Sequence, residues 1–447
     1  MSEQKNKSTL PFGFIPLWAS KAVSAGMSSM LIMQFTYYAT EVVGLEARLV
    51  GTLILASRFL DAVLGMLAGF VVDKTNTRFG KGRHFDLFLI PTWVCVVLLF
   101  SVPNVSMKGK LFYAFIFYTL TVSVLSTLLG SGDTAYLGRA VPDEHHRAKV
   151  TSVSGVLVML VCAVGGILLP QLMVTWGMRS RGWSLISLFY AVPMCAIGML
   201  RFFTIKEQPI GDAITGTQKI GMAESLRVIC KNRYVFILAP ASLLCNLALN
   251  VSSTVATFYY TYIVGNLGMM SFVSMIGLVS PLILLMFPAA IRTIGGMNYV
   301  RIGLILAISG NLLKLVDPAN IVLLVVGQLL ANIGLSAFAL VMSYFVLQVI
   351  DHGEKISGKR VEGFSSAINT LFSKTGAGLS SMLFGSLMAL SGYTRMSAGQ
   401  PLTALNTIIA LYSWIPAIFC TLTLITVHFY DLDKPSHVYF KRKSQES

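Results

Sequence analysis

The sequence is poor in charge: only 12% of its 447 residues are Asp, Glu, Lys or Arg. A soluble protein carries about twice that charged fraction. Hydrophobic residues make up 55% of the chain, and apolar runs long enough to cross a bilayer recur from end to end. The composition therefore excludes an ordinary soluble domain and predicts an all-α polytopic membrane protein.

Motifs for catalysis and metal binding are also missing. The six cysteines occur singly in or beside apolar segments, and the six histidines form no H-x-x-x-H pair and join no cysteines at ligand spacing. The sequence contains no Ser-His-Asp arrangement, Walker loop or G-x-S-x-G motif. We therefore expect no enzyme, no metal site and no cofactor beyond a coupling ion.

Acidic residues are scarce: 19 stand against 34 basic ones. The basic residues occupy short loops between apolar spans, which argues against a nucleic-acid-binding surface and for a role in membrane topology. With the N-terminus in the cytoplasm, and with most residues near a span end counted with the adjoining side, 24 Lys and Arg residues fall on the cytoplasmic side, six on the other side and four within spans. This bias predicts a multi-pass protein of the plasma (inner) membrane with both termini cytoplasmic.

Twelve apolar spans can be placed, six on each side of a long polar stretch. Their predicted limits are 13–40, 47–72, 84–103, 110–138, 149–175, 183–205, 234–264, 269–292, 298–317, 319–350, 362–390 and 402–431. We expect two six-helix bundles at 1–205 and 234–431, a cytoplasmic linker at 206–233 and a basic cytoplasmic tail at 432–447. Within the linker an amphipathic pattern fits either a helix on the membrane surface or a solvated segment.

Two six-helix halves are typical of transporters, in which solute binds between the halves near the middle of the membrane. Channels seldom need such a division. We expect the partners to be a small-molecule solute and membrane lipids, with no nucleic acid, and the chain to act as a monomer.

Charged residues within the spans are the candidates for coupling. Asp61 lies near the centre of the second span, where a carboxylate must face water, pair with a cation or be protonated. Arg58 lies three residues earlier and could pair with it locally, in which case the pair only stabilises the helix. Lys374 has a similar depth in the eleventh span, and Asp61 or Asp133 could be its partner. Asp133 could instead pair with Arg139.

Uncharged polar side chains form stripes along several spans. Such stripes suit either a cavity for a neutral polyhydroxylic solute or hydrogen bonds between helices. The candidate solute-binding residues, including two aromatic ones in the tenth span, are Ser24, Ser28, Asn246, Asn250, Ser253, Thr257, Phe338 and Tyr344.

Four stretches resemble known transporters. They are Y-Y-A-T-E-V-V-G-L (Tyr37 to Leu45), R-F-L-D-A (Arg58 to Ala62), D-K-T-N-T-R-F-G-K-G-R (Asp73 to Arg83), and I-D-H-G-E-K-I-S-G-K-R-V-E-G-F with F-S-K-T-G (Ile350 to Gly376). They resemble the major facilitator superfamily and, within it, the glycoside–pentoside–hexuronide:cation symporters, whose best-known member is the melibiose permease. The resemblance covers nearly the whole chain.

The resemblance implies the major facilitator fold and proton- or sodium-driven uptake of a sugar or glycoside by alternating access. It places Asp61, Asp133 and Lys374, together with Arg58, around the cation-coupling network. Two cytoplasmic loops are expected to form a gate through Asp73, Arg78, Arg83, Asp351, Glu354, Arg360 and Glu362.

Two departures from the family pattern matter. Gly65 replaces the second carboxylate of the second span, which favours a proton or uncoupled transport over sodium because sodium needs several hard oxygen ligands. The acid, arginine and tryptophan that grip sugar in the melibiose permease are absent from the first, fifth and tenth spans. The alternatives are therefore a carrier of a less polar, non-sugar solute or amphiphile, and a non-transporting membrane sensor.

Overall fold

A computed structural model of the protein describes residues 13–74, 82–141, 144–177, 181–207, 232–278, 293–357, 362–397 and 399–432. These residues form no strand, and we group their helices into twelve consecutive segments, numbered α1 to α12. The first half comprises α1 (Phe14–Met33, continued by Phe35–Tyr37 and a π-helix, Tyr38–Val42), α2 (Ala47–Lys74), α3 (Leu89–Leu99, after a 3-10 helix, Arg83–Phe88), α4 (Met107–Thr119, a π-helix Leu120–Leu125, Ser126–Ser131 and Asp133–Ala140), α5 (Glu144–Trp176) and α6 (Gly182–Thr204).

The second half comprises α7 (Val235–Tyr262), α8 (Leu267–Met269, Met270–Ser274 and Met275–Leu278), α9 (Gly296–Leu313), α10 (Ile321–Ser357), α11 (Glu362–Leu390) and α12 (Leu402–Tyr412 and Trp414–His428). Within the described residues, seven helices are long and apolar enough to span a membrane. Large apolar side chains on the outside of the bundle, such as Phe59, Val192 and Phe203, are more than half exposed, as expected for surfaces that face lipid. The prediction of an all-α polytopic protein is confirmed.

Among the described residues, the two halves contact each other mainly through two helix pairs, α2 with α11 and α5 with α8, and also where the end of α1 meets α7. We call the end of the molecule where α1 ends and α2 begins the distal end, and the opposite end the proximal end. At the distal end, α2 and α11 approach very closely: a Cβ atom at Gly51 would overlap the Ser381 carbonyl oxygen, and one at Gly385 would overlap that of Ala47. Glycine is required at both positions for this approach.

In the part of the chain that the structure describes, the apolar core joins the two halves at the distal end but not at the proximal end. One large cluster joins both halves and includes Leu31 and Tyr38 of α1 together with Phe258 of α7 and Phe384 of α11. Two smaller clusters lie towards the proximal end, and each belongs to a single half. Among the described residues, the halves are therefore packed together mainly at the distal end.

Candidate functional site

Asp61 and Lys374 meet between the two halves. Asp61 lies near the middle of the 28-residue helix α2, and its side chain is only 4% exposed. The ammonium nitrogen of Lys374, on α11, lies 2.8 Å from Asp61 Oδ1 and donates a hydrogen bond to it. The Thr127 hydroxyl, on α4, donates a second hydrogen bond of 2.9 Å to the same oxygen. Of the two partners expected for Lys374, the structure therefore has Asp61.

The other oxygen of Asp61 is differently placed. Asp61 Oδ2 lies 3.9 Å from Arg58 Nη1, a distance that allows an ionic contact but no hydrogen bond. Within the described part of the chain, Oδ2 accepts no hydrogen bond, and the Nε–H of Arg58 is buried without a partner. The local Arg58–Asp61 pair is thus weaker than the bond to Lys374.

Helix α4 fixes the part of α2 that carries Asp61. One turn before Asp61, Ser57 lies against α4: the Ser123 hydroxyl donates to the Ser57 carbonyl oxygen at 2.8 Å. Ser123 belongs to the π-helix Leu120–Leu125, which ends two residues before Thr127. Such π-turns are uncommon and often occur at functional sites. Here the π-turn lies beside the segment of α4 that presents Thr127 to the carboxylate.

Asp133 belongs to a separate network inside the first half. Its two oxygens lie 2.6 Å from Lys21 Nζ and 2.7 Å from Arg201 Nη2. Arg201 also forms a bidentate pair with the fully buried Asp86. Among the described residues no hydrogen bond or ion pair joins this network to Asp61. The alternative of an Asp133–Arg139 pair is wrong, because Arg139 instead bonds Glu207 at 3.2 Å.

The predicted gate residues are only partly described. Arg78 and Arg360 lie outside the described residues, and so do the side chains of Asp73, Asp351, Glu354 and Glu362. The guanidinium of Arg83 donates to the Phe202 carbonyl oxygen at 2.8 and 2.6 Å. Its backbone N–H donates to Glu207 at 3.0 Å. These contacts of Arg83 connect α3 to the end of α6 within the first half.

The polar stripe of α1 faces the interior of the first half. Ser24 is buried, and its hydroxyl oxygen accepts a hydrogen bond of 2.9 Å from Trp93 Nε1 on α3. Ser28 is also buried and donates to the Ala25 carbonyl oxygen of its own helix. Phe338, on α10, is buried in the apolar core of the second half. The side chain of Tyr344 lies outside the described residues.

The stripe of α7 contains the better-placed candidates. Asn246, Asn250 and Ser253 are half-buried, and each donates to a carbonyl oxygen one turn earlier in α7. Thr257 is buried and donates a hydrogen bond of 2.6 Å across the halves to Gln34 Oε1. Asn246, Asn250 and Ser253 therefore keep acceptor oxygens available, whereas the Thr257 hydroxyl is used in a contact between α1 and α7.

Sequence reasoning missed a group of polar residues at the end of α1. Gln34 and Glu41 are both buried and both bond to the second half. Their spacing with Tyr37, three and then four residues, places all three on one helical face, and that pattern could have identified them. Glu41 had no signal of its own, since a carboxylate at the end of an apolar span usually faces water.

Comparison with known proteins identifies the family. Residues 15–434 match the profile of a family described as MFS/sugar transport protein. The chain belongs to this family. The predicted resemblance is confirmed, since the match covers nearly the whole chain, and the protein is a transporter rather than an enzyme.

Three relatives of this MFS protein are named as carriers of sugars, glucuronides or glycosides. An isoprimeverose transporter of Lactiplantibacillus pentosus is 27% identical over 91% of this chain and 85% of its own. A glucuronide carrier protein homolog of Escherichia coli K12 is 26% identical over 88% and 87%. A putative glycoside/cation symporter, YagG, of the same strain is 27% identical over 89% and 86%.

Solved structures of low sequence identity share the fold of this MFS protein. The nucleoside transporter NupG aligns with a TM-score of 0.64 at 14% identity, over 94% of this chain and 100% of its own. A bacterial homolog of the human lysosomal transporter Spinster, in an inward-facing and unoccupied conformation, aligns with a TM-score of 0.66 at 13% identity, over 94% and 98%.

Proposed function

We propose that the protein is a proton-coupled symporter of a sugar or glycoside, with Asp61 as the coupling carboxylate. The observation that carries this proposal is the bond between Asp61 and Lys374, because a buried ion pair between the two halves links a titratable group to their relative position. The relatives named as sugar and glycoside transporters support the solute class. Neither the alternative of a less polar solute nor that of a membrane sensor is favoured by them.

The coupling step follows from the geometry of the carboxylate. Charged Asp61 attracts Lys374 and so favours the arrangement in which α2 and α11 lie together. A proton on Oδ2 removes the negative charge and weakens that attraction, while Thr127 still bonds Oδ1. The halves can then rock around the bound solute.

The donor set favours a proton over sodium. A hard cation in a protein site needs several oxygen ligands, whereas a proton needs one titratable group. Around Asp61 the described residues provide one carboxylate and the Thr127 hydroxyl, and they contain no cluster of three or more His, Cys, Asp or Glu residues. Gly65 occupies the position at which the family resemblance leads us to expect a second acid.

The α7 stripe supports a solute with hydroxyl groups. The side-chain nitrogens of Asn246 and Asn250 each donate one of their two hydrogens within α7, so the amide oxygen and the second N–H of each side chain remain for a solute. The Ser253 hydroxyl likewise donates to Leu249, which leaves its lone pairs. A row of acceptors is complementary to the hydroxyl donors of a sugar. We therefore assign Asn246, Asn250 and Ser253 to the solute site and leave out Ser24, Ser28, Thr257 and Phe338.

Transport in proteoliposomes tests the proposal. Labelled sugars and glycosides, with isoprimeverose and a methyl glucuronide among them, are offered under an inward proton gradient or an inward sodium gradient. We expect accumulation under the proton gradient, and we expect Asp61→Asn to abolish accumulation while exchange of labelled for unlabelled solute continues. Asp317→Asn, which changes an exposed carboxylate, is the matched control.

Three results would contradict the proposal. Accumulation by Asp61→Asn would remove the coupling role of Asp61. Accumulation driven by sodium alone would replace the proton. Movement of lipophilic solutes without any carbohydrate would support the less polar carrier.

A further inference from the structure

Glu41 is a buried carboxylate of the first half that is bonded by the second half. It lies in the π-helix Tyr38–Val42 at the distal end of α1, and it is 3% exposed. The Tyr262 hydroxyl at the end of α7 donates a hydrogen bond of 2.7 Å to Glu41 Oε1. The backbone N–H of Met396, between α11 and α12, donates one of 3.0 Å to Oε2. Both oxygens are thus used by groups of the other half.

Met396 has an unusual backbone conformation. Its φ of 51° lies in the left-handed region, which no other non-glycine residue of the described chain occupies. For a residue with a Cβ this conformation is sterically disfavoured. The hydrogen bond from the Met396 N–H to the Glu41 carboxyl group helps to offset that cost. The conformation of the segment between α11 and α12 is therefore supported by a residue of α1.

A cation of the second half, Arg395, also lies against the end of α1. Gly44, just after the π-helix, has a φ of 83°, and a Cβ atom there would overlap the Arg395 guanidinium. The positive charge of the second half thus lies directly over the backbone that follows Glu41.

Two more contacts between α1 and α7 precede Glu41 along the same helical face. The Thr257 hydroxyl donates to Gln34 Oε1 at 2.6 Å, and the hydroxyls of Tyr37 and Thr261 are 3.5 Å apart. Glu41 is the carboxyl-bearing member of this row and contacts two separate elements of the second half. All of these contacts require the distal ends of the two halves to be together.

We propose that Glu41 is a positioning residue that holds the distal end closed, by binding the end of α7 and the segment between α11 and α12. This inference rests on the proposed function in one respect, that the halves move relative to each other during transport. When the distal end opens, Glu41 loses both donors and must be hydrated, because an unpaired carboxylate in an apolar environment is strongly disfavoured. Glu41 therefore acts in the conformational step, whereas Asp61 acts in proton coupling.

The test measures the distance across the distal end. Spin labels are attached to cysteines introduced at Asn104, between α3 and α4, and at Leu402, at the start of α12; both side chains are exposed. The background lacks the native cysteines. We expect Glu41→Ala to raise the long-distance population at least two-fold and Tyr262→Phe to raise it by a smaller factor. Glu46→Ala, an exposed acid five positions along the chain, is expected to leave the distribution unchanged.

The outcomes separate this inference from the proposed function, because the distances are measured without solute or gradient. Equal distance distributions for Glu41→Ala and the unmutated chain would overturn the inference, whatever solute is carried. If Glu41→Ala fails to fold, Tyr262→Phe provides the same test by removing a single hydroxyl. In transport assays a positioning role predicts an altered maximal rate with the proton dependence of accumulation retained, and loss of that dependence would contradict it.

Discussion

The Thr127 hydroxyl and the Lys374 ammonium share a single acceptor, Oδ1 of Asp61, at 2.9 and 2.8 Å. One donor comes from the first half and the other from the second. The hydrogen bond from Thr127 is therefore available in every arrangement of the halves, whereas that from Lys374 depends on their closeness. This difference separates a group that stabilises charged Asp61 from a group that senses the conformation.

Thr127→Val should impair coupling without abolishing transport. A hydrogen bond to a charged group contributes about 1.5–3 kcal/mol, so the valine variant stabilises charged Asp61 less well. We expect accumulation driven by protons to fall several-fold, with solute exchange nearly unchanged. Uptake and exchange in the same proteoliposomes provide the measurement.

Thr127→Ser is the matched control for that prediction, since it keeps the hydroxyl and removes a methyl group. Its accumulation should stay close to that of the unmutated chain. Equal losses in the valine and serine variants would indicate that packing, rather than the hydrogen bond, determines the effect.

Lys374→Ala should destabilise the protein more than the double change Asp61→Asn/Lys374→Ala. Removing one partner of a buried pair leaves the other charge unpaired and typically costs about 3–5 kcal/mol. The loss should be at the lower end of that range or below it, because the Lys374 side chain is 27% exposed. The melting temperature in detergent should fall for the single change and partly recover in the double one. No recovery would mean that Asp61 and Lys374 are not energetically coupled.

The position of these two charges could be predicted from sequence, but their pairing could not. Apolar runs locate Asp61 and Lys374 near the middle of their spans, since the depth of a residue in a helix follows from counting. The partners are 313 positions apart, and their contact depends on how α2 and α11 pack. Two acids, Asp61 and Asp133, were equally plausible for Lys374, and only the packing distinguishes them.

Two buried residues of the first half show what a sequence pattern leaves undetermined. Arg201 lies near the end of the sixth predicted span, where the sequence alone does not determine its exposure, and in the structure it is 2% exposed inside the first half. Ser24 lies on a polar stripe that could face either a cavity or another helix, and it bonds to Trp93. Periodicity identifies the face of a helix but does not determine what that face contacts. By contrast, most of the described span ends lie within about four residues of their predicted limits, because the apolar runs define them. Helix α5 begins five residues early and α10 ends seven residues late, because both helices continue into polar sequence.

Arg201 should be among the most sensitive positions of the first half for stability. It bonds the fully buried Asp86 and also Asp133, and it lies 4.8 Å from the Trp18 ring. Arg201→Ala leaves two carboxylates with one fewer cation, so we expect a loss of several kcal/mol and a strongly reduced yield of folded protein.

Arg201→Lys should rescue little of that loss, because an ammonium group cannot form the bidentate contact with Asp86. Arg181→Ala, which removes an exposed arginine, should leave the melting temperature in detergent unchanged. A lysine variant as stable as the unmutated protein would indicate that net charge, rather than the guanidinium geometry, is required.

Gly51→Ala should oppose closure of the distal end. An alanine Cβ at this position overlaps the Ser381 carbonyl oxygen, so α2 and α11 must separate locally or shift. The overlap involves backbone, which cannot relax as a flexible side chain would, and the strain exists only while the halves are together. We therefore expect the variant to populate the distal-open arrangement more and to transport solute more slowly.

Gly155→Ala is the matched control, because no atom lies within 4 Å of a Cβ at Gly155. Spin labels at Asn104 and Leu402 report the populations, and identical distributions for the two alanine variants would show that the close approach at Gly51 does not limit closure.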